Sequence, residues 1–188
     1  MALEHRISEL DTYLFAKGTH YEIYEKMGAH LAEEDGKAGT YFSVWAPNAR
    51  CVSVVGDFNN WDRSAHPMQP VQQSGIWDIF VPGVKAGDLY KFSVETSQGY
   101  TVLKADPYGN QSQLRPDNAS VVADIRHFDW TDQAWRKEHQ EKKTESPMAI
   151  YEVHPGSWKK DPSMPGEFYN FKKLAVELAD YVLEMGYT

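Results

Sequence analysis

Val54-Val55-Gly56-Asp57-Phe58-Asn59-Asn60-Trp61-Asp62 is the stretch on which the reading of this chain turns. It begins as a β-strand, because Val52, Val54 and their neighbours are β-branched residues in a half-buried alternation. The strand breaks at Gly56. Asp57, Asn59 and Asn60 follow, all residue types that tolerate tight or left-handed backbone. The loop closes by presenting Trp61 among polar neighbours, where an indole offers a wide apolar face and a polar edge to a ligand. The competing reading is that Phe58 and Trp61 only plug the end of a core. The stretch by itself does not choose between them.

The segments on either side read as short strands. Thr40–Trp45 and Cys51–Val55 flank the turn Ala46-Pro47-Asn48-Ala49, and Gly75–Val81 is stopped by Pro82-Gly83. Leu89–Glu95 alternates, with Tyr90, Phe92 and Val94 expected inward and Lys91 outward. Tyr100–Lys104 and Ala119–Asp124 complete six or seven strands with turn signals about every ten residues, the pattern of an immunoglobulin-like β-sandwich. Trp77 shares a face with Ile79 and Val81 and is placed in its core. Ahead of the sandwich, residues 1–29 read as a lead-in, with a short turn or strand at Asp11–Phe15 and with Tyr24 and Met27 packed onto the following domain. Glu33, Glu34 and Asp35 read as a solvated polar turn.

The character changes after Asp129-Trp130. Thr131–Lys143 is polar and helix-compatible, capped by Thr131 or Asp129, docked by Trp135 and ended by Ser146-Pro147. Met148–His154 is a nearly unbroken apolar run, read as a strand covered on both faces, with Glu152 and His154 on one side. Asn170 then caps a helix whose stripe is Phe171, Leu174, Leu178, Tyr181, Val182 and Met185, and Gly186 sits where a left-handed C-cap belongs. A strand and crossover helix require a parallel partner strand, expected near Tyr187-Thr188. The sequence therefore reads as entering a larger α/β domain.

Composition narrows the function. The chain has 188 residues, 41% of them hydrophobic and 13% aromatic, enough for a sizeable core. A formal net charge of −8 without a basic block argues against nucleic acid and anionic membranes as partners. Cys51 is the single cysteine, so no internal disulfide forms, and a reducing, cytoplasmic setting is expected. The first residues, Met1-Ala2-Leu3-Glu4-His5-Arg6, lack the apolar run of a signal peptide. The histidines His5, His20, His30, His66, His127, His139 and His154 are scattered without ligand spacing, so neither metal nor cofactor is expected. No phosphate loop follows a strand, and Ser146, Ser157 and Ser163 have no nucleophile elbow. No acid/base carboxylate pair stands out, so no catalytic residue is assigned.

Binding chemistry is better represented. A sugar ring has an apolar C–H face and a rim of hydroxyls, so its recognition calls for an exposed aromatic together with amide and ammonium groups. Trp61 supplies the first, Lys91 a donor, and Asn118 both a donor and an acceptor.

In combination these residues resemble a known family. Phe42-Ser43-Val44-Trp45-Ala46-Pro47-Asn48-Ala49, Val54 through Asp62, Gly75-Ile76-Trp77 and Leu89-Tyr90-Lys91-Phe92 are similar to the N-terminal starch-binding module of glycogen branching enzymes. Isoamylases and the β-subunits of a eukaryotic energy-sensing kinase carry the same module. Lys104-Ala105-Asp106-Pro107-Tyr108-Gly109, Arg115-Pro116 and Ile150 through Trp158 narrow the resemblance to branching enzymes, from about Tyr21 onward. It implies a lead-in (1–29), an α-glucan-binding sandwich (30–127), a linker helix (128–147) and the first strand and helix of a truncated (β/α)₈ barrel (148–188).

The resemblance also implies the parent reaction, in which a retaining barrel cleaves an α-1,4 linkage and passes the chain to a 6-hydroxyl. The carboxylates for that reaction would lie beyond Thr188, so this chain alone is expected to be inactive. Its expected partners are α-glucan (glycogen, malto-oligosaccharides) and the remainder of its own barrel. Trp61 matches the family's loop aromatic, Lys91 its strand lysine and Asn118 its late polar residue. A second tryptophan before the Asp-Pro turn is missing: Leu103 stands there, and Tyr100 is the substitute if the loop is longer. That departure keeps two alternatives open, a docking sandwich that positions the barrel without binding sugar, and the same module from an isoamylase-type debranching enzyme.

Overall fold

The computed structural model describes residues 6–126, 128–141 and 147–187. The leader-region residues 1–5, His127, Lys142, Lys143, Ser146 and Thr188 lie outside them. The chain forms two compact units, Met1–Phe128 and Asp129–Thr188.

The first unit is a sandwich of two antiparallel sheets, as the alternation predicts. Strands β1 (Gly28–Glu34) and β2 (Lys37–Trp45) form a hairpin around Asp35-Gly36, both in the left-handed region at φ 51° and 72°. That geometry is the two-residue turn that Asp-Gly favours. Glu33 and Glu34 are consequently strand residues, and only Asp35 belongs to the turn. Strand β3 (Ala49–Gly56) crosses to the other sheet, and β4 (Gln69–Pro70) and β5 (Ile76–Pro82) return to give the order β1-β2-β5-β4. The second sheet adds β6 (Leu89–Thr96), β7 (Thr101–Lys104), β8 (Gln111–Ser112) and β9 (Ser120–Val121) in the order β3-β6-β9-β8, with β7 also on β6. The strand expected over Ala119–Asp124 shrinks to two paired residues. Beyond Val121 the backbone bonds turn to a loop, with Gly87 N–H to the Val122 carbonyl at 2.8 Å and Val122 N–H to that of Asp88 at 3.0 Å.

Alternate residues of each strand meet between the sheets: Phe42 and Val44, Val52 and Val54, Tyr90 and Phe92, with Met68, Val81, Val84 and Val122. Trp77 packs against this core and donates its indole N–H to the Ala46 carbonyl at 3.1 Å. The buried Tyr90 hydroxyl needs an acceptor, and Asp106 provides one at 2.5 Å. Burial pushes the Asp106 carboxyl up, against the hydrogen bonds from Tyr90 and the Tyr108 N–H. The Asp106 N–H donates to Ser120 Oγ on β9 at 2.9 Å, so the Asp-Pro turn is tied to both β6 and β9.

Residues ahead of β1 also belong to this unit. Helix α1 (Glu9–Ala16) occupies the segment expected as a turn or strand. Its start is a capping box: the Ser8 hydroxyl accepts from Asp11 N–H, and Asp11 accepts from Ser8 N–H at 2.7 Å. Asp11 also accepts from Lys26 at 2.5 Å and meets His20 at 2.8 Å. Burial would raise its pKa, but the bonds from Lys26, Ser8 and His20 outweigh that and hold the carboxyl far below its usual range. Ser8→Ala is expected to cost about 1 kcal/mol of stability, read from the urea midpoint. A second apolar cluster of Ile7, Ile23, Met27, Val71 and Ile76 joins this segment to the sandwich. Met27 is fully buried as expected, whereas Tyr24 is 58% exposed and does not dock.

In the second unit, α2 (Gln133–Glu141) begins after both expected caps, and Trp135 stacks on His139 while remaining mostly exposed. Residues 147–154 form no strand, and Met148 and Ile150 are about three-quarters exposed (74% and 76%). A β-rich run acquires ladder bonds only from a neighbouring strand, and none pairs with it among the described residues. Glu152 and His154 are therefore not two residues of one strand face. Helix α3 (Phe171–Glu184) starts at Asn170, whose side chain accepts from Lys173 N–H at 3.0 Å. It ends with Gly186 at φ 77°, the N–H groups of Gly186 and Tyr187 bonding back to Leu183 and Val182. Leu174 is buried and Leu178, Tyr181 and Val182 are half-buried, but Phe171 and Met185 are exposed. Among the described residues no helix is long and apolar enough to cross a membrane.

Candidate functional site

The loop after β3 is built around Asn59. Gly56 leads into it, and a Cβ there would meet the Leu89 carbonyl at 2.1 Å and the Phe58 ring at 2.6 Å. Asp57–Asn59 make one 3₁₀ turn. The Asn59 side chain accepts from Gly56 N–H at 2.9 Å and donates to the Val54 carbonyl at 3.1 Å and to His66 Nδ1 at 2.9 Å. His66 is therefore a neutral ring with its proton on Nε2. Burial lowers the His66 pKa, while the nearby Asp62 charge opposes that.

Two consecutive non-glycine residues then take left-handed backbone, Asn60 at φ 53° and Trp61 at φ 61°. For a bulky residue such as tryptophan that conformation costs on the order of 1–3 kcal/mol and persists only when its surroundings fix it. They do. Trp61 N–H bonds the Gly56 carbonyl at 3.0 Å, and its indole N–H donates to Asp57 Oδ1 at 3.1 Å. The residue remains 36% exposed. Phe58 turns the other way and stacks on the core Phe42 ring at 6.0 Å. Phe58 therefore packs against the core, whereas Trp61 stays partly exposed beside Asp57.

Lys91 lies on β6 opposite Val55, one residue before the glycine that anchors Trp61. Its partner is Asn118: Lys91 Nζ donates to Asn118 Oδ1 at 2.5 Å. That bond joins two of the expected site residues, Lys91 on β6 and Asn118 in the loop before β9. Tyr100 does not join them. It sits at the β6–β7 turn, beyond the Glu95–Thr101 pair, about four residues or ~13 Å along β6 from Lys91. Leu103 does face the same way as Lys91, since it registers with Ser93, two residues along, and it is 41% exposed. The outer face of β6 and β7 therefore presents one aliphatic side chain and a bonded amine–amide pair, and the Trp61 indole is exposed on the loop that follows the neighbouring strand β3. Such a set can cover the C–H face of a ring and bond the hydroxyls at its rim. Sequence reading missed the roles of Asp57, Asn59 and His66; the tendency of Asn and Asp to bond nearby backbone was the only available signal.

Residues 26–109 match carbohydrate-binding module 48, the isoamylase N-terminal domain. The chain is 51% identical over 181 residues to the 1,4-alpha-glucan branching enzyme GlgB of Protochlamydia amoebophila (strain UWE25), covering 96% of this chain and 25% of that protein. It is 48% identical over 183 residues to the enzyme of the same name from Marinobacter nauticus, covering 97% and 29%. Against that of Butyrivibrio fibrisolvens it is 49% identical over 184 residues, again covering 97% and 29%. The chain thus spans between a quarter and a third of the length of these relatives.

Proposed function

Since this chain belongs to the family of the 1,4-alpha-glucan branching enzymes and carries a carbohydrate-binding module 48 in residues 26–109, we propose that its sandwich binds α-glucan at the Trp61 loop. The observation that carries this reading is the indole itself, held in strained backbone and fixed through its N–H while its ring stays accessible. A structural plug has no need of that arrangement. Trp61 takes the apolar face of a glucosyl ring, and Lys91 and Asn118 take hydroxyls at its rim. The whole enzyme, on this reading, moves an α-1,4-linked segment to a 6-hydroxyl, and the module keeps the glucan at high local concentration beside that chemistry.

Electrophoresis through native gels cast with glycogen tests this. The wild-type chain is expected to be retarded, and Trp61→Ala to weaken the apparent affinity by about tenfold, the equivalent of losing most of one aromatic contact. Equal mobility of the two proteins at every glycogen concentration would remove the sugar site.

A further inference from the structure

Next to the Trp61 loop lies an open cleft of about 450 Å³, lined by Asp57, Phe58, Pro82, Gly83, Lys85 and Asp88. It shares Asp57 with the Trp61 site, because the carboxylate that lines the cleft also holds the indole N–H. The opposite wall is a braced loop: Lys85 N–H donates to Asp88 Oδ2 at 2.9 Å, and Gly87 and Asp88 are tied to Val122 by two backbone bonds. Phe58 is half-buried and Pro82 exposed, so apolar surface is present. Gly83, at φ 81°, leaves open space where a side chain would stand. The Lys85 side chain is exposed and lines the cleft.

The charges select the ligand class. Two carboxylates disfavour an anion, and an ammonium in the same cleft disfavours a metal cation. Acceptors, a donor and small apolar surfaces together suit a neutral polyol, and the volume falls in the usual range of about 300–1,000 Å³ for ligand clefts. We propose that this cleft is a second saccharide subsite, taking further glucosyl units of the same chain that stacks on Trp61. It rests on the glucan-binding reading above and extends it from one ring to a run of rings.

Calorimetric titration of the full chain with maltotriose and maltoheptaose tests it. Maltoheptaose is expected to bind more tightly. Lys85→Met should weaken maltoheptaose by about tenfold, as loss of a charged hydrogen bond does, and leave maltotriose within about twofold. Trp61→Ala should weaken both sugars. Thermal melts check that each variant is folded. If Trp61→Ala weakens both but Lys85→Met leaves the ratio between them unchanged, the second subsite is wrong and the first stands. If wild type binds neither sugar, both readings fall. Protection by calcium that Lys85→Met strengthens would give the cleft to a cation and overturn the proposal.

Discussion

Phe42→Ala is expected to remove about 3–5 kcal/mol of stability, most or all of what a domain of this size possesses. Phe42 is fully buried, and it is the ring on which two others rest: Tyr90 edge-on at 5.0 Å and Phe58 stacked at 6.0 Å. These rings come from β2, β6 and the loop after β3, so deletion opens a cavity that three elements would have to move to fill. Urea titration followed by far-UV circular dichroism measures the effect. Phe42→Leu should recover more than half, because it restores volume without the ring contacts. The same titration should find Trp61→Ala losing only about 1 kcal/mol, since the ring lies outside the core cluster and gives up one hydrogen bond to Asp57. A loss under about 1 kcal/mol for Phe42→Ala would mean that the sandwich is not centred on this ring.

The elements legible in the sequence were those whose own residues carry both pattern and punctuation. β2, β3, β5, β6 and β7 alternate between turn signals, and Asn170 and Gly186 mark both ends of α3. Other features depend on partners elsewhere in the chain. β1 mixes His30, Leu31, Ala32 and Glu33 without clean alternation, and becomes a strand because Asp35-Gly36 turns it onto β2. That Asp-Gly pair was a readable hairpin signal. Helix α1 has Asp11 where a capping box more often has Glu, and it is held by Lys26 and His20 from beyond the helix. Met148–His154 shows the converse, a strand-like composition with no ladder among the described residues.

The site divides in the same way. Trp61, Lys91 and Asn118 could be chosen by residue type, and Leu103 follows from the β6–β7 register. Tyr100 lies at the far end of β6 because a hairpin of this length carries its turn away from the loop. Asn59 was unreadable for another reason. Its importance comes from four acceptors and donors that meet only after β3, the 3₁₀ turn and His66 have folded together.

Asn59→Asp is therefore expected to lose about 3 kcal/mol at pH 8, and the loss should shrink as the pH falls to 6. The wild-type amide nitrogen faces the Val54 carbonyl, the Asp62 carbonyl at 3.4 Å and His66 Nδ1. A carboxylate oxygen there donates nothing, so a buried negative charge faces three acceptors and the bonds to them are lost. In the wild-type protein burial lowers the pKa values of His30 and His66, so between the folded values and the unfolded value near 6.5 the unfolded chain binds more protons. Wild-type stability is accordingly full above about pH 6.5 and declines on acidification. Asp11, with its pKa lowered, adds its own loss only further down, below about pH 4.

In Asn59→Asp the His66 contribution changes sign. Protonated His66 donates Nδ1–H to the new carboxylate, which raises the folded pKa, so that stabilisation is complete below about pH 6.5 and is lost as the pH rises through the raised value. His30 is common to both proteins and cancels in the comparison. Melting wild type and variant side by side from pH 5.5 to 8 measures the difference directly. Glycogen retardation should follow it, because Asn59 bonds Gly56 and the Asp62 carbonyl on either side of Trp61. A difference that stays constant across this range would mean that Asn59 and His66 do not share a proton-dependent bond, and that the Trp61 loop is held by its backbone turns alone.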